Sequence, residues 1–456
     1  MSINNHNVLL AFYGDDFTGS TDALEFLSRA GAKTVLFIEP PTPEQLSRYE
    51  GLDAIGVAGM TRAMRPPEME AELRPAFKAL KQLGALHVHY KVCSTFDSSP
   101  AVGSIGKAID VGAEIFDAPF IPLLVAAPAL GRYCVFGNLF ARMGIGSKGE
   151  IFRLDRHPSM SKHPVTPADE SDLRLHLAKQ TSRKIGLIDI LQVQQSDDLK
   201  SSVDELINNK AEIVLFDGLY QEQLIKIGQA IDEYATSDKP LFSVGSSGIE
   251  MALGAYWKQQ GKLQAKDEWH SAGKVEAILV VSGSCSPVTS KQIKWALENS
   301  FAEVALDTVA IAQNEDYDLG CYSNKVIELL NEGRSVIVHT SLGNDDVRVK
   351  ASNDILASTK STSEIFGSAL GQIVREVVPK TNIKRIVIAG GDTSSYAARA
   401  MGIEAVEMMA PLSPGAPLCK AYAPGSPVGE LEVNFKGGQV GAEDYFGVVL
   451  NGKFIS

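Results

Sequence analysis

A chain of 456 residues exceeds what one ordinary hydrophobic core organises, so two domains are expected. A hydrophobic share of 45% with 21% charged residues fits a globular protein in water, and no apolar run reaches the roughly 18 residues of a membrane span. The net charge of −12 argues against a nucleic-acid partner, because binding a phosphate backbone calls for a basic patch. Residues Met1–His6 have neither the basic nor the apolar region of a secretion signal, so the cytoplasm is the expected compartment. Five cysteines, at positions 93, 134, 285, 321 and 419, show no C-x-x-C spacing. Neither a zinc site nor a disulfide framework is expected; Cys93 and Cys285 lie beside Ser/Thr-rich turns but read as small buried fillers.

The first element is an apolar strand, Val8–Tyr13, that stops at Gly14-Asp15-Asp16. A helix through Ala30 follows, with Thr18 as the expected cap. Two carboxylates at the end of a first strand, facing a helix N-terminus, stand where open α/β sheets bind ligands. Further strands are expected at Thr34–Ile38, Ala54–Ala58, His87–Val92, Pro122–Ala127, Ile213–Phe216 and Leu241–Val244, with helices such as Pro66–Leu83 and Glu222–Tyr234 between some of them. This alternation predicts an α/β fold with largely parallel sheets and flanking helices. A polar zone at 261–275 divides the chain into a domain over 1–262 and a second over 275–456, with a ligand cleft expected between them. The second series opens at Ala277–Val281, continues at Ser335–His339 and Arg385–Ala389, and closes with a strand-like Leu431–Phe435. A Pro/Gly-rich stretch, Pro411–Gly429, is expected to interrupt it.

The strand ends carry the chemistry. Gly59–Arg62, His89–Thr95 and Ala127–Arg132 follow the third, fourth and fifth strands, so Asp15, Asp16, Arg62, Lys91, Ser94, Thr95 and Arg132 should converge. Arginine grips a carboxylate through two bonds and lysine adds a point charge. Acids beside such bases suit a polyhydroxy acid: bases for its carboxylate, acids for its hydroxyls. Each base alone would read as a solvated surface charge; the convergence is what argues for a site. No Walker loop exists: Gly103-Ser-Ile-Gly106-Lys107-Ala108 has the wrong spacing and lacks the hydroxyl residue after lysine. No dinucleotide fingerprint follows the first strand. In the second domain, Ser282-Gly-Ser284-Cys-Ser286 and Gly390-Gly391-Asp392-Thr393-Ser-Ser395 each join a strand to a helix, with Pro287 suited to a first helical turn. Alone, each reads equally as an ordinary capped turn. Together with Lys436-Gly437-Gly438 they read as a phosphate cradle. The proline-rich run Asp155–Ser171 holds His157 and His163 without metal-ligand spacing, and it reads as a rigid substrate-facing loop or lid.

These motifs, in this order and over nearly the whole chain, resemble the four-carbon acid sugar kinase family. The resemblance rests on Gly14–Gly19, Thr61-Arg62, Lys91 with Ser94-Thr95, Gly131-Arg132, His163–Pro167, Ser282–Ser286, Gly390–Thr393 and Lys436–Gly438. It implies a sugar-acid domain followed by an ATP domain, with transfer of the γ-phosphoryl group to a substrate hydroxyl in the presence of Mg2+. It places Asp15, Asp16, Arg62 and Lys91, with Ser94 and Thr95, on the sugar acid. It places Ser284, Ser286, Gly390, Gly391, Asp392, Thr393 and Gly438 on ATP, and it assigns no residue as a metal ligand. Asp16 is the expected base on the attacking hydroxyl, with Asp15 binding substrate; the reverse order stays open. Where family members acting on threonate, erythronate or 3-oxo-tetronate read Ser-Thr-Leu-Arg-Gly, this chain reads Ser94-Thr95-Phe96-Asp97-Ser98-Ser99. The departure speaks against a plain four-carbon acid, and what the resemblance then implies first is a branched or longer acid such as the 3-oxo-isoapionate handled by some relatives, with those four-carbon acids as alternatives. A non-catalytic cytoplasmic sensor of sugar acid or nucleotide is the reading from another class, and a dehydrogenase is disfavoured by the missing fingerprint. Small molecules are the expected partners, without nucleic acid or membrane, and a homodimer stays open.

Overall fold

The computed structural model describes residues 8–145, 149–163, 165–266, 268–314, 317–343, 345–356 and 361–453. The chain divides into two compact units between residues 267 and 268. No described helix is long and apolar enough to cross a membrane.

In the first unit, parallel strands β1 (Leu10–Gly14), β2 (Thr34–Phe37), β3 (Ala54–Ala58), β4 (His87–Lys91) and β5 (Ile121–Leu124) come first. A small antiparallel sheet follows: β6 (Arg132–Val135), β7 (Asn138–Arg142) and β8 (Ile151–Arg153). The parallel sheet then resumes with β9 (Ile185–Ile188), β10 (Ile213–Phe216) and β11 (Leu241–Gly245). Its spatial order is β2-β3-β1-β4-β11-β5-β10-β9. Strands β1 to β5, β10 and β11 are buried along their whole length, so they read as continuous apolar runs instead of alternating ones. Strand β1 is central: the chain leaves it on one side for β2 and β3, then crosses to β4 on the other. Such a switch point opens a crevice at the carboxyl ends of the strands.

The second unit repeats that switch. Its strands are β12 (Leu279–Ser282), β13 (Ala302–Ala305), β14 (Val336–His339), β15 (Arg385–Ala389), β16 (Ala405–Ser413), β17 (Ala416–Tyr422) and β18 (Glu432–Lys436). The order β13-β14-β12-β15 has the form of β2-β3-β1-β4, and β18 extends it in parallel. The stretch Pro411–Gly429 does not interrupt the series as expected. Most of it pairs as the antiparallel hairpin of β16 and β17, whose register shifts around Ala410. Pro411 falls within that irregularity, where a missing N–H costs no ladder bond.

One buried arginine ties β15 to β18 and to the last helix, Tyr445–Asn451. Arg385 is fully buried; its Nε donates to Glu432 Oε2 at 2.6 Å and its Nη1 to the Val449 carbonyl at 2.6 Å. Replacing Arg385 leaves the part-buried Glu432 carboxylate and the Val449 carbonyl without their donor, a loss of about 1–3 kcal/mol. Arg385→Ala is therefore expected to lower the unfolding transition of the second unit in calorimetry, whereas an unchanged transition would show that the pair contributes nothing.

Candidate active site

The turn after β1 is fixed by backbone bonds on both sides. Asp15 N donates to Lys91 O at 2.8 Å, Gly59 N to Gly14 O at 3.0 Å, and Arg62 N to Asp15 O at 3.1 Å. Asp16, and not Thr18, caps the Phe17–Ala30 helix: its backbone is extended and its Oδ1 accepts from Gly19 N at 2.8 Å. The Thr18 hydroxyl donates to Asp16 Oδ2 at 2.7 Å. A side chain on residue 19 would press its Cβ to 2.5 Å from Asp16 Oδ1 and 3.1 Å from Lys91 Nζ, so glycine permits this close approach.

Arg62 bridges the two acids. Its Nη2 lies 3.1 Å from Asp15 Oδ1 and 2.7 Å from Asp16 Oδ1. Both carboxylates are buried, yet they differ. Burial raises Asp15, and the neighbouring Arg62 only partly offsets it. Burial also acts on Asp16, but there Arg62, the Thr18 hydroxyl, Lys91 and the Gly19 amide outweigh it and lower the pKa. Beside the 3.1 Å contact from Arg62 Nη2, the other bonds to Asp15 are long, 3.4 Å from Arg62 Nε and 3.4 Å from Cys93 N.

Lys91 is buried behind the pair, donating to Val92 O at 3.0 Å and lying 3.6 Å from Asp22 Oδ2. Asp22 also accepts from the Ser247 hydroxyl at 2.5 Å. Deeper still are Glu250 and His89, both fully buried. His89 Nδ1 lies 3.2 Å from the Ser243 carbonyl, so that nitrogen carries the proton. Its Nε2 lone pair then faces Glu250 Oε1 at 3.6 Å. Burial pushes Glu250 up to about 8 and His89 down to about 3, so both are neutral at pH 7. The sequence reading missed Asp22, Ser247, Glu250 and this role of His89. The available signal was an acid inside an apolar helical run, as at Ile249-Glu250-Met251.

Ser94 and Thr95 are nearly buried beside the pair, with Thr95 Oγ1 3.0 Å from Cys93 Sγ. Phe96 adopts φ 57°, a left-handed backbone on a buried aromatic residue. Ser98 is locked away from solvent: its hydroxyl meets His176 Nε2 at 2.8 Å and Gln180 Nε2 at 3.0 Å. Asp97 keeps one buried carboxylate oxygen, Oδ1, without a hydrogen-bond partner, and its charge acts on Arg62 and Arg132. Arg132 is buried with Nη1 turned onto the Leu130, Gly131 and Arg142 carbonyls. His157 and His163 serve their own loop: His157 Nδ1 accepts from Ser159 N and Met160 N at 3.3 Å, and His163 Nδ1 from Thr166 N at 3.1 Å. Pro164 of that loop lies outside the described residues.

In the second unit three strand-end turns meet. Gly283 N donates to Ala389 O at 3.0 Å and Gly390 N to Lys436 O at 2.9 Å. Ser286 caps the Pro287–Glu298 helix, and its hydroxyl donates to Gly438 O at 2.6 Å. The Ser284 hydroxyl donates to Thr289 Oγ1 at 3.1 Å. Gly390, at φ 138°, leads into the Gly391–Ala400 helix with Asp392 and Thr393 in its first turn. A Cβ on Gly438 would lie 3.1 Å from Ser286 Cβ, and one on Gly390 would lie 3.1 Å from Thr393 Cβ. Two helix N-termini and a glycine turn thus share one location, an arrangement suited to anions. All five cysteines are free thiols.

With this geometry in place, comparison with known proteins is informative. The family model "Sugar-binding N-terminal domain" matches residues 10–253, and "Nucleotide-binding C-terminal domain" matches 279–446. A 3-oxo-isoapionate kinase of Paraburkholderia graminis is 42% identical over 98% of this chain and 95% of its own. A 3-oxo-tetronate kinase of Pseudomonas savastanoi pv. phaseolicola is 28% identical over 99% and 98%. A solved structure from Salmonella typhimurium LT2 shares the fold, with a TM-score of 0.74 at 22% identity over 97% and 98%. The chain belongs to the four-carbon acid sugar kinase family. Its activity is that of a sugar-acid kinase.

The buried Glu250 makes stability depend on pH. Its folded pKa, about 8, lies above the ordinary value of 4.5, so the native state holds a proton that the unfolded chain releases. Stability is complete below about pH 4.5 and falls as pH rises to about 8. Glu250→Gln, neutral and of equal size, is expected to lack this fall and to exceed the wild type by about 2–4 kcal/mol at pH 8. Urea unfolding at pH 5, 6.5 and 8 measures it; a gap that does not widen with pH would contradict a buried neutral Glu250.

Proposed function

We propose that the protein phosphorylates a hydroxyl of 3-oxo-isoapionate, or a sugar acid of the same branched type, using ATP. The observation that carries this reading is the 42% identity to a 3-oxo-isoapionate kinase along nearly the whole of both chains. The changed loop supports it, since an acid, Asp97, stands where relatives acting on four-carbon acids carry arginine.

The acceptor side is read as follows. Arg62 neutralises the substrate carboxylate or the incoming phosphoryl group, as charge-neutralising groups do in phosphoryl transfer. Asp15 takes the proton of the attacking hydroxyl, because it is the more weakly bonded acid and burial favours its protonated form. Asp16 is committed to the helix cap and holds Arg62 in place. Lys91, at 1% exposure, acts from behind as a fixed positive charge. Ser94 and Thr95 follow Lys91 within four residues of the chain and are read as substrate contacts on the same side. This order of roles reverses the one expected from the sequence.

The donor side is read as the turns Ser284–Ser286, Gly390–Thr393 and Gly438 holding the nucleotide's phosphates through amides, hydroxyls and helix N-termini. Mg2+ would be carried chiefly by those phosphates, with Asp392 in the first turn of the Gly391–Ala400 helix as an available acid. No cluster of three or more His, Cys, Asp or Glu suited to a metal occurs among the described residues, and this ion commonly needs only one or two carboxylates. The metal would supply charge neutralisation on the phosphates. Free thiols throughout support a reducing compartment, the cytoplasm.

Two measurements test the reading. ADP release with a panel of sugar acids should give the highest kcat/KM for 3-oxo-isoapionate; a higher value for 3-oxo-tetronate would reassign the substrate. Asp15→Asn should lower kcat by about 10²–10⁴-fold. A folded Asp15→Asn protein with near-wild-type kcat would remove Asp15 as the base.

A further inference from the structure

Lys436 ends β18 beneath the glycine turn and is fully buried. Its Nζ lies 3.0 Å from Thr289 Oγ1 and 2.9 Å from the Gly437 carbonyl. The Tyr445 ring is 5.7 Å away, its hydroxyl donating to Asn434 Oδ1 at 2.8 Å. Tyr445 is the only titratable side chain against the amine in the described contacts, and no carboxylate pairs with it there. Thr289 Oγ1 in turn touches Gly438 O at 3.4 Å and accepts from Ser284. The lysine therefore sits under the point where the three turns meet.

A buried amine without a counter-charge is out of balance. Burial alone lowers it to about 7, and no charged neighbour contributes. As a neutral amine it has two N–H groups, matching the two acceptors present. As an ammonium it has three, and the third has no acceptor in this ring of contacts. An anion on the turns would supply the missing negative charge.

We propose that Lys436 is a binding residue for the nucleotide's phosphates that takes up one proton from solvent when nucleotide binds. This rests on reading the three turns as the nucleotide site. The proton passes from buffer to the Nζ lone pair, and the phosphate charge then holds the ammonium. The outcome is a nucleotide affinity that weakens as pH rises above 7.

Calorimetric titration of the full-length protein with ADP and Mg2+ at pH 8, where the nucleotide is fully ionised, tests this in two buffers of different ionisation enthalpy. The wild type should take up about 0.9 proton per nucleotide. Lys436→Met, checked for an unchanged melting profile, should bind about tenfold or more weakly with uptake near zero. Should that variant not fold, the wild-type buffer comparison decides by itself. Nucleotide binding with no buffer dependence, or uptake retained in Lys436→Met, overturns the inference and leaves the nucleotide site standing. No binding of nucleotide to the wild type overturns the nucleotide site and the inference together.

Discussion

One guanidinium organises the first unit's site. Arg62 spans Asp15 and Asp16 at 3.1 and 2.7 Å, and without it two buried carboxylates on adjacent residues would repel each other in a low-dielectric setting. Sharing one cation between two acids makes them unequal. Asp16 draws additional bonds from the helix terminus and stays charged; Asp15 has one ordinary bond, from Arg62 Nη2 at 3.1 Å, beside longer contacts and lies closer to protonation. The same turn therefore contains an anchor and a group able to exchange a proton.

The fold brings this about through topology more than through local sequence. Strand β1 sits where the sheet order switches sides, so the ends of β3 and β4 flank its own end. Arg62 arrives from the first and Lys91 from the second. The second unit uses the same strand order to bring the ends of β12 and β15 together, with β18 adding Lys436 and Gly438. On the proposed reading, the first unit meets an anionic ligand with side-chain cations and the second with amides, hydroxyls and a single buried amine.

Much of this was legible in the chain. The fully buried parallel strands read as apolar runs, and the residues at their ends were visible as breaks in those runs, as at Gly14-Asp15-Asp16 and Gly390-Gly391-Asp392. What could not be read was competition among polar groups. Thr18 is a good cap by type, but the extended backbone at Asp16 gives that role to the aspartate. Pro411–Gly429 has the composition of a loop, yet a bulged hairpin takes in Pro411 and Pro417 in its strands and Pro414 in its turn. Asp22 and Glu250 lie on helices, and only the packing of those helices on the sheet makes them neighbours of Lys91; His89 shares Lys91's strand face two residues earlier. The sequence could not say which residue of the changed loop is engaged: Ser98 is bonded to His176 and Gln180, and Asp97 keeps an unsatisfied oxygen.

The central claim is that the Asp15–Asp16–Arg62 turn serves a phosphoryl acceptor. Phosphorus NMR of the protein incubated with ATP, Mg2+ and 3-oxo-isoapionate tests it most directly. The account predicts loss of the γ-phosphate signal matched by a new phosphomonoester signal coupled to carbon-bound protons of the acid. Loss of the γ-phosphate to inorganic phosphate alone, or an unchanged spectrum with every sugar acid tried, would contradict it.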